Sequence, residues 1–376
     1  MYHIGFIIEQ ALGHITHSQN LRENLSRDPS ISAYWGLPAW EAKGLAARIP
    51  IYKSNWTVRA GLQARRQAAQ MARQAKLDAL FFHTQVPAIL SQDWLQRIPS
   101  IVSLDATPRQ YDRLGEFYGH QTDPAWLENL KWRMNRDCFR KARRLVTWSE
   151  WAKQGLVDEY EVPAEKVTVI PPGVNPEQWA RQGARPLQGE AVKILFVGGN
   201  LERKGGSLLI QAFRELRSMA GTAVELHLVT KDTLAPEPGI TVYNGIQPNS
   251  PALKKLYHES DIFCLPTKGD CLPMVLSEAG AAGLPIVSTR VAAIPEIVQE
   301  GKNGFLIPPD DLPALVAALK HLIQDQNLRA EMGEHGIKIV RQNYDAVVNT
   351  ARLLDLLKEV INQERSAKAR RITSAA

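Results

Sequence analysis

The stretch from Leu265 to Ser288 reads LPTKGDCLPMVLSEAGAAGLPIVS and carries the densest chemistry in the chain. An apolar run ends near Leu265, a loop carries Asp270, and a helix opens near Pro273 or Met274. Proline in a first helical turn loses nothing, because that amide has no intrahelical partner. The amides of Cys271, Leu272, Met274 and Val275 are then free to face an anion such as a phosphate. Glu278 follows one turn later, and a carboxylate that accepts two hydroxyls suits a ribose diol; the alternative is a helix-surface carboxylate. In the first half, Gly13 follows an apolar run and precedes a helix, so the backbone there leaves room for a ligand. His14 and His17 are three apart, as in a metal pair, but no third ligand accompanies them; they read as a loop position and a helix-start position. The glycine fingerprint G-x-G-x-x-G of dinucleotide binding is absent.

These residues need a frame, and the chain supplies a repetitive one. Short apolar runs alternate with amphipathic stretches, the grammar of parallel sheets covered by helices. The predicted strands are His3–Ile8, Ala79–His83, Ser100–Leu104, Leu145–Trp148 and Val167–Ile170, then Lys193–Gly198, Val224–Val229, Ile240–Tyr243, Ile262–Leu265 and Pro285–Ser288. Predicted helices include Ser18–Arg27, Arg59–Lys76, Pro124–Arg143, Glu150–Glu159, Ser207–Ser218, Pro251–Glu259, Leu312–Gln324 and Leu328–Asn343. The breaker Pro171-Pro172-Gly173 divides the pattern. The expected organisation is an N-terminal domain over 1–175, a linker over 176–190, a second domain over 186–345, and a C-terminal helix and tail over 346–376. That last helix either packs outside the second sheet or crosses back to the first domain, and disorder is expected from Gln363 onward.

Composition narrows the class. With 376 residues, 44% hydrophobic and 22% charged, the chain suits two globular domains. No apolar run approaches a membrane span, and the N-terminal run is too short and lacks the basic flank of a signal peptide. Three cysteines without metal-ligand spacing predict reduced thiols and a cytoplasmic protein. The net charge of +6 is mild, but Arg59–Lys76 and Lys131–Arg144 concentrate basic residues on two helices. They read as solvated faces or as peripheral contacts to an anionic membrane at the inner face; no nucleic-acid motif accompanies them.

The segment around Asp270 and Glu278 resembles the E-x7-E signature of retaining glycosyltransferase family 4 (the "glycosyl transferases group 1" type), with Asp270 in place of the first glutamate. The following EAGAAGLPIV from Glu278, the stretch VAAIPEIV from Val291, and GKNGFLIPPD from Gly301 continue the likeness. VGGNLERKG, Val197 to Gly205, resembles the family's phosphate-binding loop, which brings Gly199 to the donor. The resemblance runs over most of 145–345. It implies the GT-B fold: α/β, two Rossmann-like doubly wound domains facing each other across a cleft. It also implies sugar transfer from a nucleotide-diphosphate sugar to an unidentified sugar, lipid or small-molecule acceptor with retention, without cofactor or metal. Arg203 and Lys204 then neutralise the departing diphosphate, where fixed cations contribute most, unless they are surface residues at a helix start. Asp270 contacts hydroxyls of the transferred sugar. Many relatives place a histidine where this chain has Asp105. Asp105 therefore reads as a contact to donor or acceptor hydroxyls, or as a cap before Pro108. His83 is a site residue or a buried structural histidine, and Glu296 a helix cap or a functional carboxylate. A nucleotide-sugar 2-epimerase and a non-catalytic nucleotide-sugar-binding protein share this architecture and stay open as alternatives.

Overall fold

Strands buried on both faces must be apolar at successive positions rather than at alternate ones. The first strand obeys this: Ile4, Phe6, Ile7 and Ile8 are all fully buried. The computed structural model describes residues 1–11, 13–39, 41, 48–115, 123–181, 191–219 and 223–375. Two compact units emerge, one formed by Met1–Arg113, Gln121–Pro172 and Ala346–Ala376, the other with Gly173–Asp345 as its body.

The first unit holds strands β1 (Tyr2–Ile8), β2 (Ile31–Gly36), β3 (Ala79–His83), β4 (Ser100–Leu104), β5 (Arg144–Thr147) and β6 (Val167–Val169). They form one sheet in the order β2-β1-β3-β4-β5-β6, and every pair is parallel. Its two faces carry separate cores, one around Phe82, Val102, Phe139 and Leu156, the other around Ile4, Phe6, Phe81 and Ile101. The second core is completed by Leu353, Leu354, Leu357, Val360 and Ile361 of the helix Ala346–Ala375. That helix continues to Ala375, which corrects the expected disorder from Gln363. Beyond its last buried residue it is tied down by Arg143–Glu364 at 2.9 Å and Arg365–Asp78 at 2.8 Å.

The second unit repeats the plan with β7 (Val192–Val197), β8 (Val224–Val229), β9 (Ile240–Tyr243), β10 (Ile262–Leu265), β11 (Ile286–Thr289) and β12 (Gly304–Ile307). Their order is β12-β11-β10-β7-β8-β9, again all parallel. The stretch after Gly173, expected to be irregular, holds the short helix Pro176–Trp179, whose Trp179 is buried edge-on against Tyr257 at 5.2 Å. The rest of the expected linker, 182–190, lies outside the described residues. Helix starts follow capping chemistry: Asn55, Ser149, Ser250 and Asp311 each accept a hydrogen bond from an amide of the first turn.

The topology locates the chemistry. In each sheet the first strand, β1 or β7, has neighbours on both sides, so successive connections leave it in opposite directions. Ligands in doubly wound sheets settle beyond the carboxyl ends of the strands at that reversal. The residues that matter are those just past β1 and β3, and just past β7 and β10.

Candidate functional site

Past β7 and β10 two loops interlock. Gly205 turns the first of them with φ +77°, and a Cβ there would fall 1.9 Å from the Pro266 carbonyl oxygen, so only glycine fits. The Arg203 guanidinium donates to the Gly269 carbonyl at 2.8 Å, and the Lys268 amide donates to the Arg203 carbonyl at 3.0 Å. Lys204 forms an ion pair with Asp270, both side chains largely buried. Burial, with Arg203 adding to it, holds the Lys204 ammonium below its usual range, although Asp270 pulls the other way. Gly199 lies exposed in the same loop.

The helix Met274–Ala281 begins here with Pro273 as its N-cap and no side chain capping it. Pro273 thus stands just before the helix rather than in its first turn. Cys271, Leu272 and Met274 are buried and Val275 is half-buried, which gathers the predicted amide donors at one helix start. Glu278, 3% exposed, accepts a 2.8 Å hydrogen bond from the Tyr257 hydroxyl. Burial pushes its carboxyl up to about 7, with Tyr257 and Lys254 opposing. Tyr257 is itself fixed by stacking on Phe263. Glu296 sits in the first turn of the short helix Ile294–Ile297.

At the first sheet's reversal, Ile8 and His83 are paired neighbours, and the Glu9 amide donates to the His83 carbonyl at 2.8 Å. The helix His14–Leu25 starts four residues earlier than expected and opens on His14 itself. Its ring contacts two carboxylates, Nδ1 at 2.6 Å from Glu9 and Nε2 at 3.4 Å from Asp105. Burial alone would discharge this imidazole; Glu9 and Asp105 override it and raise its pKa to about 10. Asp105 is held below its usual range despite burial, because His14 and the amides of Asp105 and Ala106 favour the ionised form. A cation at a helix N-terminus opposes the helix dipole, so the carboxylates are what keep it there.

His83 is fully buried, stacked on Trp148 at 4.9 Å, with Nδ1 3.2 Å from the Ser103 hydroxyl. His17 lies edge-on to both His83 and Trp148. Burial, reinforced by the charge on His14, holds His17 down at about 3 and His83 well below its usual value. The structure therefore unites His14, His17, His83 and Asp105 in one cluster. Glu9 and Trp148 belong to this cluster and Tyr257 to the site around Glu278, and sequence reasoning passed over all three; Glu9 and Trp148 each sit one residue past a strand, the only signal available. Gly13 is exposed and a Cβ there would meet nothing within 4 Å, so the backbone is open to approach. Among the described residues no group of three or more His, Cys, Asp or Glu is arranged to hold a metal ion.

Several residues of the basic helices have partners. Arg59 is buried and donates to the carbonyls of Tyr52 and Lys53. Arg65 pairs with Asp93, Lys131 with Asp123 and Glu128, Arg136 with Glu161, and Arg144 with Glu359. Among the described residues no helix is long and apolar enough to cross a membrane.

Comparisons with known proteins converge. Residues 15–178 match the family model "Glycosyltransferase Family 4", and residues 191–325 match "Glycosyl transferases group 1". The amylovoran biosynthesis glycosyltransferase AmsK of Erwinia amylovora is 32% identical over 179 residues, 44% of each chain. The GDP-mannose-dependent alpha-(1-6)-phosphatidylinositol monomannoside mannosyltransferase of Mycolicibacterium smegmatis is 29% identical over 217 residues, 52% of this chain and 57% of that one. The chain spans about half the length of the curated relatives it matches. Among solved structures, a glycosyltransferase from Rickettsia africae superposes with a TM-score of 0.71 at 14% identity, covering 96% of this chain and 98% of that one. Anabaena Alr3699/HepE in complex with UDP-glucose gives 0.70 at 16% identity, covering 96% and 100%. These neighbours share the GT-B fold.

Proposed function

The chain belongs to the family 4, group 1 glycosyltransferases, and on that premise we propose that it moves a sugar from a nucleotide-diphosphate sugar to an acceptor hydroxyl with retention of anomeric configuration. The observation that carries this reading is the pairing of Lys204 with Asp270 beside the uncapped start of the helix Met274–Ala281. An arriving diphosphate takes over Lys204 and the open amides of Met274 and Val275. Asp270 is then released to accept a hydroxyl of the transferred sugar. Arg203 braces the loop and adds positive charge, and Glu278, steadied by Tyr257, holds the ribose diol. As the sugar–phosphate bond breaks, negative charge grows on the diphosphate next to cations that are already in place. This arrangement supplies without a metal what a divalent ion supplies elsewhere.

In the first unit Asp105, kept ionised by His14, accepts a sugar or acceptor hydroxyl, with Gly13 leaving the backbone open there. The sugar passes through an oxocarbenium-like state, as in glycoside hydrolysis. The departing diphosphate takes the acceptor proton on the same face. His83 and His17 hold Trp148 and His14 in register. The Anabaena complex with UDP-glucose and the GDP-mannose-dependent relative support a nucleotide-sugar donor, and the amylovoran and phosphatidylinositol mannoside names support polysaccharide or glycolipid synthesis.

The test is thermal stabilisation of the full chain by UDP-, GDP-, ADP- and dTDP-sugars, with and without EDTA. A ligand at about 100 times its dissociation constant adds about 2.7 kcal/mol, well within a melting curve's resolution. Stabilisation by one nucleotide class, unchanged by EDTA and followed by acceptor-dependent release of nucleoside diphosphate, is the expected outcome. Release that needs no acceptor, or no stabilisation by any donor, rejects the reading.

A further inference from the structure

Two consecutive glycines, Gly198 and Gly199, leave β7, and a lysine side chain lies beside each of them. A Cβ at position 198 would stand 2.8 Å from Cζ of Phe196 and 3.0 Å from Cβ and Cγ of Lys204. At position 199 the three nearest atoms all belong to Lys231, its Cε, Cδ and Cγ at 3.7, 3.8 and 3.9 Å. Val197 and Val229 are paired at the ends of β7 and β8, and the Gly198 amide donates to the Val229 carbonyl at 2.9 Å. The loop that carries Lys231 is itself fixed. Asp232 accepts from the Leu201 amide at 2.6 Å, and the Asn244 side chain donates to the carbonyls of Thr230 and Asp232. Lys231 is exposed, and among the described residues no carboxylate pairs with it. Its stem lies along glycine backbone while its ammonium, one bond beyond Cε, stays in water.

We propose that Lys231 is a diphosphate-binding residue, forming with Lys204 a cation pair that brackets Gly198–Gly199. This assignment rests on the nucleotide-sugar reading and sharpens it. Arg203, the other half of the pair expected from sequence, has its guanidinium donating to the Gly269 carbonyl and acts first as a brace. A lysine whose stem is already laid against the loop loses less side-chain freedom on binding than one drawn in from solvent. The Lys231 stem thus lies at ordinary contact distance from where a Cβ of residue 199 would stand.

The experiment is calorimetric titration of the full chain with UDP, GDP, ADP and dTDP, and with the matching monophosphates. The diphosphate that binds the parent chain should bind Lys231→Gln about tenfold more weakly, the size of one charge-assisted hydrogen bond. Lys231→Arg should recover most of that loss, and the monophosphate should lose less than the diphosphate does. Diphosphate affinity unchanged in Lys231→Gln but lost in Lys204→Ala overturns the assignment and leaves the donor site standing. Equal losses for mono- and diphosphate overturn it as well, because Lys231 then contacts the nucleoside. A parent chain that binds none of the four removes both the assignment and the functional reading beneath it.

Discussion

At the reversal of the first sheet the chain gathers two carboxylates around one imidazolium, whereas at the reversal of the second it gathers lysine and arginine around one carboxylate. The frame is the same: six parallel strands in which the first strand has neighbours on both sides. The charge is opposite. Glu9, His14 and Asp105 together carry one net negative charge, while Arg203, Lys204 and Asp270 carry one net positive charge. Fold does not impose such a contrast; the loops do. On the proposed function, a negative edge suits a sugar that turns cationic, and a positive edge suits a departing diphosphate.

The strongest challenge to this contrast is to remove its buried centre. His14→Leu leaves Glu9 and Asp105 facing each other without their shared cation, and breaking a buried pair in this way costs about 3–5 kcal/mol. Urea unfolding reads it, and a variant as stable as the parent would show that the imidazolium does not hold the carboxylates together. The same residue sets a pH dependence. Its pKa is raised from 6.5 to about 10, so its contribution is complete below 6.5 and is lost as pH climbs towards 10. Alkaline loss of stability over that window should be flattened in His14→Leu.

On the positive edge, Lys204→Ala should lower kcat by roughly 2.7–4 kcal/mol of transition-state stabilisation, about a hundred- to a thousandfold. Turnover close to the parent's in a folded variant would leave the second edge charged but idle. A smaller effect separates the edges by pH. Glu278 titrates at about 7, so affinity for a sugar nucleotide should rise through neutrality as its carboxylate ionises. Below that point the fall is at most about tenfold per pH unit. The smallest expected change is Tyr257→Phe, which removes the hydrogen bond favouring the ionised carboxylate and moves that midpoint upward. A midpoint that stays put in Tyr257→Phe would assign the titration to another group.

The two edges also differ in how legible they were. The positive one is written in two continuous runs, Gly198–Gly205 and Pro266–Glu278, long enough to carry the family resemblance that exposes it. The negative one takes single residues from the ends of four strands, and no local pattern joins Glu9, His83, Asp105 and Trp148. The helix that bears His14 buries His14, Ser18 and Asn24 alongside Leu21 and Leu25, which mutes the apolar stripe and hides its first turn. Ten of the twelve strands among the described residues announce themselves as apolar runs. The two overlooked, β2 and β12, are both edge strands, and β2 is half-buried at five of its six positions. Tyr257 was hidden by distance, since its partner Glu278 lies 21 residues away on a different helix.

The helix Ala346–Ala375 has a consequence for how the molecule is made. Its leucines complete the core beneath β1 and β3, yet they leave the ribosome only after the whole of Gly173–Asp345 has been translated. Domains usually fold in the order in which they are synthesised. Here the unit begun first must wait, with Ile4, Phe6 and Phe81 short of their final cover, while the unit begun later can close around its own sheet. The helix that bears His14 packs into this same late-completed core through Leu21 and Leu25.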